Sequence, residues 1–266
     1  MILTKGDIGD DVALLQRRLT RAGYPVPETH VFDHETESAV MTLQRDRGLV
    51  IDGIAGPKTL LALPAERNPL HLCDDDLVKA AGTLGISVAA IRAVNEVESR
   101  GQGFLTDGRP VILFERHVFY KRLSLHGIDP APIATRNPNI VSTATGGYQG
   151  GAAEYVHLAA ASLIHADAAH ESASWGAFQI MGYHWETLGY SGIADFVACM
   201  QTSEAHHLDA FVRFIAADTG LLSALKGRKW AAFAKGYNGP NYAHNLYDVK
   251  LARAYEKYAG REEAAA

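Results

Sequence analysis

The stretch "VNEVESRGQGF", residues 94–104, closes an apolar, alanine-rich segment with two glutamates and then breaks into glycines. Taken as a helix opening near Ser87 as N-cap, it turns about 100° per residue. Val88, Ile91 and Val94 then share one arc, and Glu98 falls in it, within roughly 20° of Ile91. Glu96 falls on the far side, four residues from both Arg92 and Arg100, as an exposed ion-pair partner. The helical wheel thus separates two acids that look alike in sequence. A carboxyl pressed against apolar packing loses solvation and has its pKa raised. Glu98 can then stay protonated near neutral pH and act as a general acid. On the wheel alone, a core-edge glutamate tied to a basic or backbone partner is the simpler reading.

The whole chain sets the bounds. Its 266 residues suffice for one large or two unequal domains. Hydrophobic residues at 47% and charged residues at 21% are ordinary for a soluble globular protein with an enzyme-sized core. A formal net charge of −5 argues against a general nucleic-acid binder. Cys73 and Cys199 lie far apart, outside any C-x-x-C or Cys/His cluster, and read as reduced thiols, with a disulfide as the alternative. The N-terminal "MILTKGDIGDD" lacks the basic and apolar regions of a secretory leader. No run of about 18 apolar residues marks a membrane span. These features lead to an expectation of synthesis and folding in a cytoplasm, with no stable membrane insertion.

Two parts follow one another. Residues 64–73, "PAERNPLHLC", hold two prolines and read as a linker. The expected division is a first domain over 1–65, a linker over 66–73 and a second, helix-rich domain over 74–266, ending in a frayed "REEAAA". In the first part, Val12, Leu15 and Leu19 have helical spacing stopped by Gly23. Asp33 is a candidate N-cap for a second helix with Ala39, Val40 and Leu43 inward and Gly48 as its stop. "DGIAGPKTLLAL" adds a turn and Pro57 at a third helix start. Three short helices make a small bundle.

This segment resembles the peptidoglycan-binding domain of many cell-wall hydrolases over nearly all of residues 3–63. The resemblance rests on Asp11-Val12, Leu15-Gln16 and Leu19, Gly23-Tyr24, Phe32-Asp33 with Thr36, Ala39-Val40, Gln44, Gly48-Leu49 and "DGIAGPKT". The family usually has glycine before the Phe-Asp pair; Val31 stands there, so a different local turn is expected. Asp52, Gly53 and Thr59 read as turn and cap residues.

In the second part, "GQGFLTDGRPVILFERH" follows Glu98 with turn-forming glycines, a short strand over "VILFE" and a second acid, Glu115, at its end. Glycosidases place paired carboxyls about 5–5.5 Å apart for retention or about 6.5–9.5 Å for inversion, and sequence does not measure that gap. Glu115 reads equally well as a surface or core-edge partner of Arg116 or another base. Later come "ESASWGAFQIMGYH" (171–184) and "AFAKGYNGPNY" (232–242). With "EVESRG" they resemble, in order, the three signatures of the goose-type lysozyme and lytic transglycosylase superfamily. Residues from about 75 to 260 look like the N-acetylmuramidase domain of phage endolysins.

The resemblance implies a mainly α fold, a three-helix peptidoglycan-binding bundle followed by a lysozyme-like α domain with a small β-element. It places Glu98 as catalytic acid with Ser99 beside it, and carries Ser174, Gly176, Gln179, Tyr237 and Asn238 as signature residues. Gln179 and Asn238 offer amides to sugar N-acetyl and hydroxyl groups. Tyr237 is expected to stack on a sugar or bond the acid. Glu115 is the expected second catalytic acid and Glu171 the reserve, although an acid near a helix start is more often a cap-region residue. Trp175 reads as core or subsite, and Phe178 as core.

Other chemistries fit less well. The twelve histidines include no H-E-x-x-H, and His206-His207 in "HHLDAF" read as a polar helix face. "TATGGYQGG" (143–151) lacks the Lys-Ser/Thr of a phosphate loop and reads as a mobile lip or flexible loop. "AAEYVHLAAASLIHADAA" reads as alanine-rich core helix. The implied activity is hydrolysis of the β-1,4 bond from N-acetylmuramic acid to N-acetylglucosamine by a monomer without metal or other cofactor. Its partners are peptidoglycan glycan strands, not nucleic acid. An endolysin is expected to be made in the host cytoplasm and to act on the wall. The alternatives are a lytic transglycosylase and a non-catalytic wall-binding protein.

Overall fold

The computed structural model of the chain describes residues 2–63, 68–99 and 102–265. It divides into two compact units, Met1–Glu96 with Ala254–Ala266, and Val97–Arg253. The division falls inside a helix rather than at the proline-bearing stretch. Of the expected linker, residues 66 and 67 lie outside the described residues, as do Arg100 and Gly101 of the opening stretch.

The first unit begins with α1 (Asp10–Arg21), α2 (His34–Asp46) and α3 (Pro57–Ala62). Asp33 caps α2 by accepting from the Thr36 amide, and Pro57 opens α3, as the sequence predicts. Leu15, Leu19, Phe32, Val40 and Leu43 form the core between them. At the turn before Phe32 the left-handed residue is His30, with φ 60°.

Two buried glutamines join this bundle. Gln16 donates to Thr29, Thr36 and the Val31 carbonyl, and accepts from the Thr29 and His30 amides. Gln44 repeats the pattern one helix later. It donates to Asp52, Thr59 and the Ile54 carbonyl, and accepts from the Asp52 and Gly53 amides. Each side chain uses its full amide capacity to close one loop.

Helix α4 (Asp74–Leu84) ends at Gly85 in the left-handed conformation, and α5 (Val88–Glu98) follows with the Ser87 hydroxyl accepting from the Ala90 amide. Of the two arginines expected beside Glu96, Arg100 lies outside the described residues, and Glu96 is exposed. It accepts from Lys257 at 3.0 Å and the buried Tyr258 hydroxyl at 2.6 Å, while Arg92 pairs with Asp74. Arg261 bonds Glu37 and the Asp52 carbonyl. These ties explain why the end of the chain belongs to the first unit.

The second unit continues through β1 (Ile112–Phe114), α6 (Arg116–Leu125), α7 (Ala131–Arg136), α8 (Glu154–Ser162), α9 (Ala166–Glu171), β2 (Ala173–Trp175) and β3 (Ile180–Met181). Then come α10 (Ile193–Met200), α11 (Glu204–Ala217), α12 (Thr219–Lys226), α13 (Trp230–Asn238) and α14 (Tyr247–Ala265), whose residues from Ala254 on belong to the first unit. The strands form one antiparallel sheet in the order β1-β2-β3, pairing Leu113 with Ser174 and Ser174 with Met181. Phe119, Phe196, Phe211, Phe233 and Trp175 are fully buried. Trp175 is therefore core, its indole donating to the His170 carbonyl, and Phe178 is likewise buried. The alanine-rich stretch is two helices, α8 and α9, not one.

The polar-face reading of "HHLDAF" fails at His207, which is 1% exposed. Its ring stacks on Phe104, accepts from the Ala177 amide and donates to the Met200 carbonyl. Gly103 and Gly176 make the room: a Cβ at either would lie 2.5 Å from the imidazole. Cys73 and Cys199 are both thiols rather than disulfide partners, and the Cys73 thiol donates to Asp76. Among the described residues no single helix is long and apolar enough to cross a membrane.

Candidate active site

Glu98 ends α5, where its side chain meets a cleft of about 350 Å³. The cleft is walled by residues of the β2–β3 hairpin, the following turn, α11, α13 and the start of α14. Burial raises the Glu98 carboxyl to about 7, against an opposing hydrogen bond from Asn238. That bond, Asn238 Nδ2 to Glu98 Oε1, is 3.0 Å long. The first and third sequence signatures thus meet in one contact. Ser99 lies half-buried at the bend just past the helix.

The second signature forms the hairpin turn. Ser174 donates to Gln179 Oε1 at 2.9 Å, and Gln179 Nε2 donates to the Gly176 carbonyl at 2.8 Å. Gly176 has φ 72° and Gln179 has φ 52°, so both sit in left-handed backbone. Gln179 lines the cleft, yet its amide is engaged within its own turn. Its local work is to shape the hairpin that faces Glu98. Tyr237 also differs from the sugar-stacking expectation. Its hydroxyl donates to the Phe178 carbonyl at 2.8 Å, and its ring packs among Phe211, Phe214 and Phe233. Burial, then the nearby Glu98, push its phenol well above the ordinary value.

Glu115 is not among the described residues that wall this cleft. It stands where β1 passes into α6, and its amide bonds the Ser172 carbonyl. Both carboxylate oxygens accept from the Tyr148 hydroxyl, at 3.0 and 2.9 Å, and His117 lies 3.1 Å away. Tyr148 belongs to the glycine-rich 143–151 segment, which is tied at several points. Arg116 donates to the Ala144 and Thr145 carbonyls, and buried Glu154 accepts from the Gln149 and Gly150 amides. Arg116 is spent on the segment's backbone, and the base beside Glu115 among the described residues is His117.

Glu171, the reserve acid, ends α9 rather than starting a helix. It is 3% exposed and accepts from Arg122, His126 and the Trp185 indole. Burial alone would raise its carboxyl; the three donors outweigh that and leave it lowered. It is a structural clamp between α6, α9 and the turn after β3. The sequence reading missed His184, Tyr183, Phe214 and Tyr247, which also line the cleft. His184 closes "ESASWGAFQIMGYH", so its nearness to the signature was the available signal.

The N-acetylmuramidase family model matches residues 87–259, and a peptidoglycan binding domain model matches residues 8–63. Curated relatives include the N-acetylmuramoyl-L-alanine amidase CwlL of Bacillus licheniformis, 43% identical over 67 residues, or 24% of this chain and 19% of that protein. The amidase CwlM of Mycobacterium tuberculosis is 38% identical over 82 residues, 28% of this chain and 20% of that protein. The chain spans about a fifth of the length of these relatives. The crystal structure of the Burkholderia AP3 phage endolysin is similar throughout, with 52% identity, a TM-score of 0.93, and coverage of 97% of this chain and 99% of that one. The chain belongs to the N-acetylmuramidase family, in the modular form of a phage endolysin with a peptidoglycan-binding domain ahead of its muramidase domain.

Proposed function

We propose that this chain is an endolysin that hydrolyses the β-1,4 bond from N-acetylmuramic acid to N-acetylglucosamine in peptidoglycan. The observation that carries the reading is Glu98, a carboxyl raised to about 7 by burial at the wall of a cleft. Such a group keeps its proton in about half of the molecules at neutral pH and can give it to the leaving sugar oxygen. The Asn238 amide fixes one of its oxygens. Ser174, Gly176 and Gln179 set the hairpin beside it, and Tyr237 braces that hairpin through the Phe178 carbonyl.

Glu115 is assigned a different task from the expected second acid. Its carboxylate anchors the glycine-rich segment through Tyr148. The N-terminal module raises the local concentration of the cleft at the polymer, as linked binding events do. In this reading a monomer, made in the host cytoplasm, acts on glycan strands at the wall.

Mass spectrometry of digested peptidoglycan tests the proposal. Hydrolysis leaves reducing N-acetylmuramic acid ends. Exclusively 1,6-anhydro ends would indicate a lytic transglycosylase instead, and free stem peptides with intact glycan would indicate an amidase.

A further inference from the structure

The cleft that holds Glu98 contains a second group able to move a proton. His184 stands on the turn Gly182–His184, directly after β3. That turn is pressed against α9: a Cβ on Gly182 would lie 2.2 Å from the His170 carbonyl oxygen. The imidazole is held by rings on two sides, with Tyr183 at 4.3 Å and Phe214 edge-on at 5.0 Å between centroids. Neither of its ring nitrogens has a hydrogen-bond partner among the described residues. Other histidines of this unit do: His126 bonds Glu171, His157 bonds Gln149, and His207 bonds at both nitrogens. His184 is thus an oriented imidazole with its polar atoms uncommitted, on the wall of the cleft that holds the acid.

The geometry points to His184 as the base that takes a proton from the attacking water, on the sugar face opposite Glu98. This assignment rests on the hydrolase reading above. The water oxygen bonds to C1 of N-acetylmuramic acid while its proton passes to an imidazole nitrogen. The C1–O4 bond breaks, and O4 takes the Glu98 proton. The step leaves an imidazolium and a carboxylate, and proton exchange with solvent restores both. Attack opposite the leaving group inverts the β-linkage.

The surroundings favour the neutral imidazole. The titratable groups that line the cleft with it are Glu98 from α5, Tyr237 from α13, Tyr247 from α14 and Tyr183 on its own turn. Three carboxylates on the adjoining helices are engaged elsewhere. Glu171 of α9 holds Arg122 and His126, Asp195 of α10 holds Ser191, and Asp209 of α11 holds Arg213. Burial lowers His184 from 6.5, while Glu98 is raised to about 7. The base works above its own pKa and the acid below its own, so both are in the working form between the two values.

Two measurements test the assignment on the full chain. First, proton NMR of the wild-type digest at early times is expected to show the α-anomer of reducing N-acetylmuramic acid. The β-anomer appearing first would overturn the role of His184 while leaving the hydrolase reading intact. Anhydro products alone would overturn the hydrolase reading itself. Second, His184→Gln is expected to lower kcat by ~10²–10⁴-fold with KM little changed, and to remove the acid-side limb of the kcat/KM profile. A variant that keeps wild-type kcat and that limb would overturn the proposal. A merely structural histidine would not take the limb with it, and the anomer measurement needs no variant to fold.

Discussion

Asn238 donates from Nδ2 to Oε1 of Glu98 across 140 positions of sequence, at 3.0 Å. The bond favours the charged carboxylate and so opposes the burial that raises Glu98 to about 7. Asn238→Ala removes that opposition. The basic limb of kcat/KM, which reports loss of the Glu98 proton, is expected to move to higher pH. A pH–rate profile on soluble glycan strands measures it, and a limb that stays in place or moves down contradicts the account.

The two glutamates of the opening stretch should separate under substitution. Glu98→Gln is expected to lose ~10²–10⁴-fold in kcat while keeping or gaining stability, since it replaces a poorly solvated acid. Glu96→Ala should retain activity and lose about 1–2 kcal/mol, because the buried Tyr258 hydroxyl then lacks its acceptor. Turbidity clearing and urea denaturation of both variants read the two effects. Full activity in Glu98→Gln would refute the assignment of the acid.

Glu115→Gln provides the contrast within the acids. Its carboxylate serves the Tyr148 hydroxyl, so its loss should loosen the 143–151 segment and cost far less than the ~10²–10⁴-fold of a proton-transfer group. Tyr148→Phe should have the same small effect, and the double variant should add little. Clearing rates for the three proteins decide it; a collapse of activity in Glu115→Gln alone would restore the two-carboxylate scheme.

The Glu171 clamp sets an acid limit on stability. Its carboxyl lies below the ordinary 4.5 in the folded chain. A depressed carboxyl contributes stability that is present above its unfolded pKa and lost as pH falls through the folded one. Glu171→Gln is expected to cost about 3 kcal/mol at neutral pH, since Arg122 is left without its buried partner. The gap from wild type should close below pH 4.5. Urea unfolding at several pH values checks both the size and the direction.

Much of this was legible because it is local. Helical pitch alone turned Glu98 inward and Glu96 outward, and capping chemistry alone marked Asp33 and Pro57. What the pitch does not contain is the partner. Glu96 meets Lys257 and Tyr258, more than 160 residues on, partners that no helical wheel reveals. Glu115 is turned to its task by Tyr148, 33 residues later. His207 is buried because two distant glycines leave space for its ring, which no periodicity on α11 records. His184 sat inside a quoted motif without a role, since its neighbours Phe214 and Glu98 arrive from other helices.

The two interior glutamines of the N-terminal bundle carry a kinetic consequence. Their side-chain bonds reach only 13 to 20 residues for Gln16 and 8 to 15 for Gln44. The contact on which Glu98 depends spans 140. Chains close short loops sooner than long ones. After denaturation, this small bundle should regain its native form early, while the cleft waits for the slow meeting of α5 with α13.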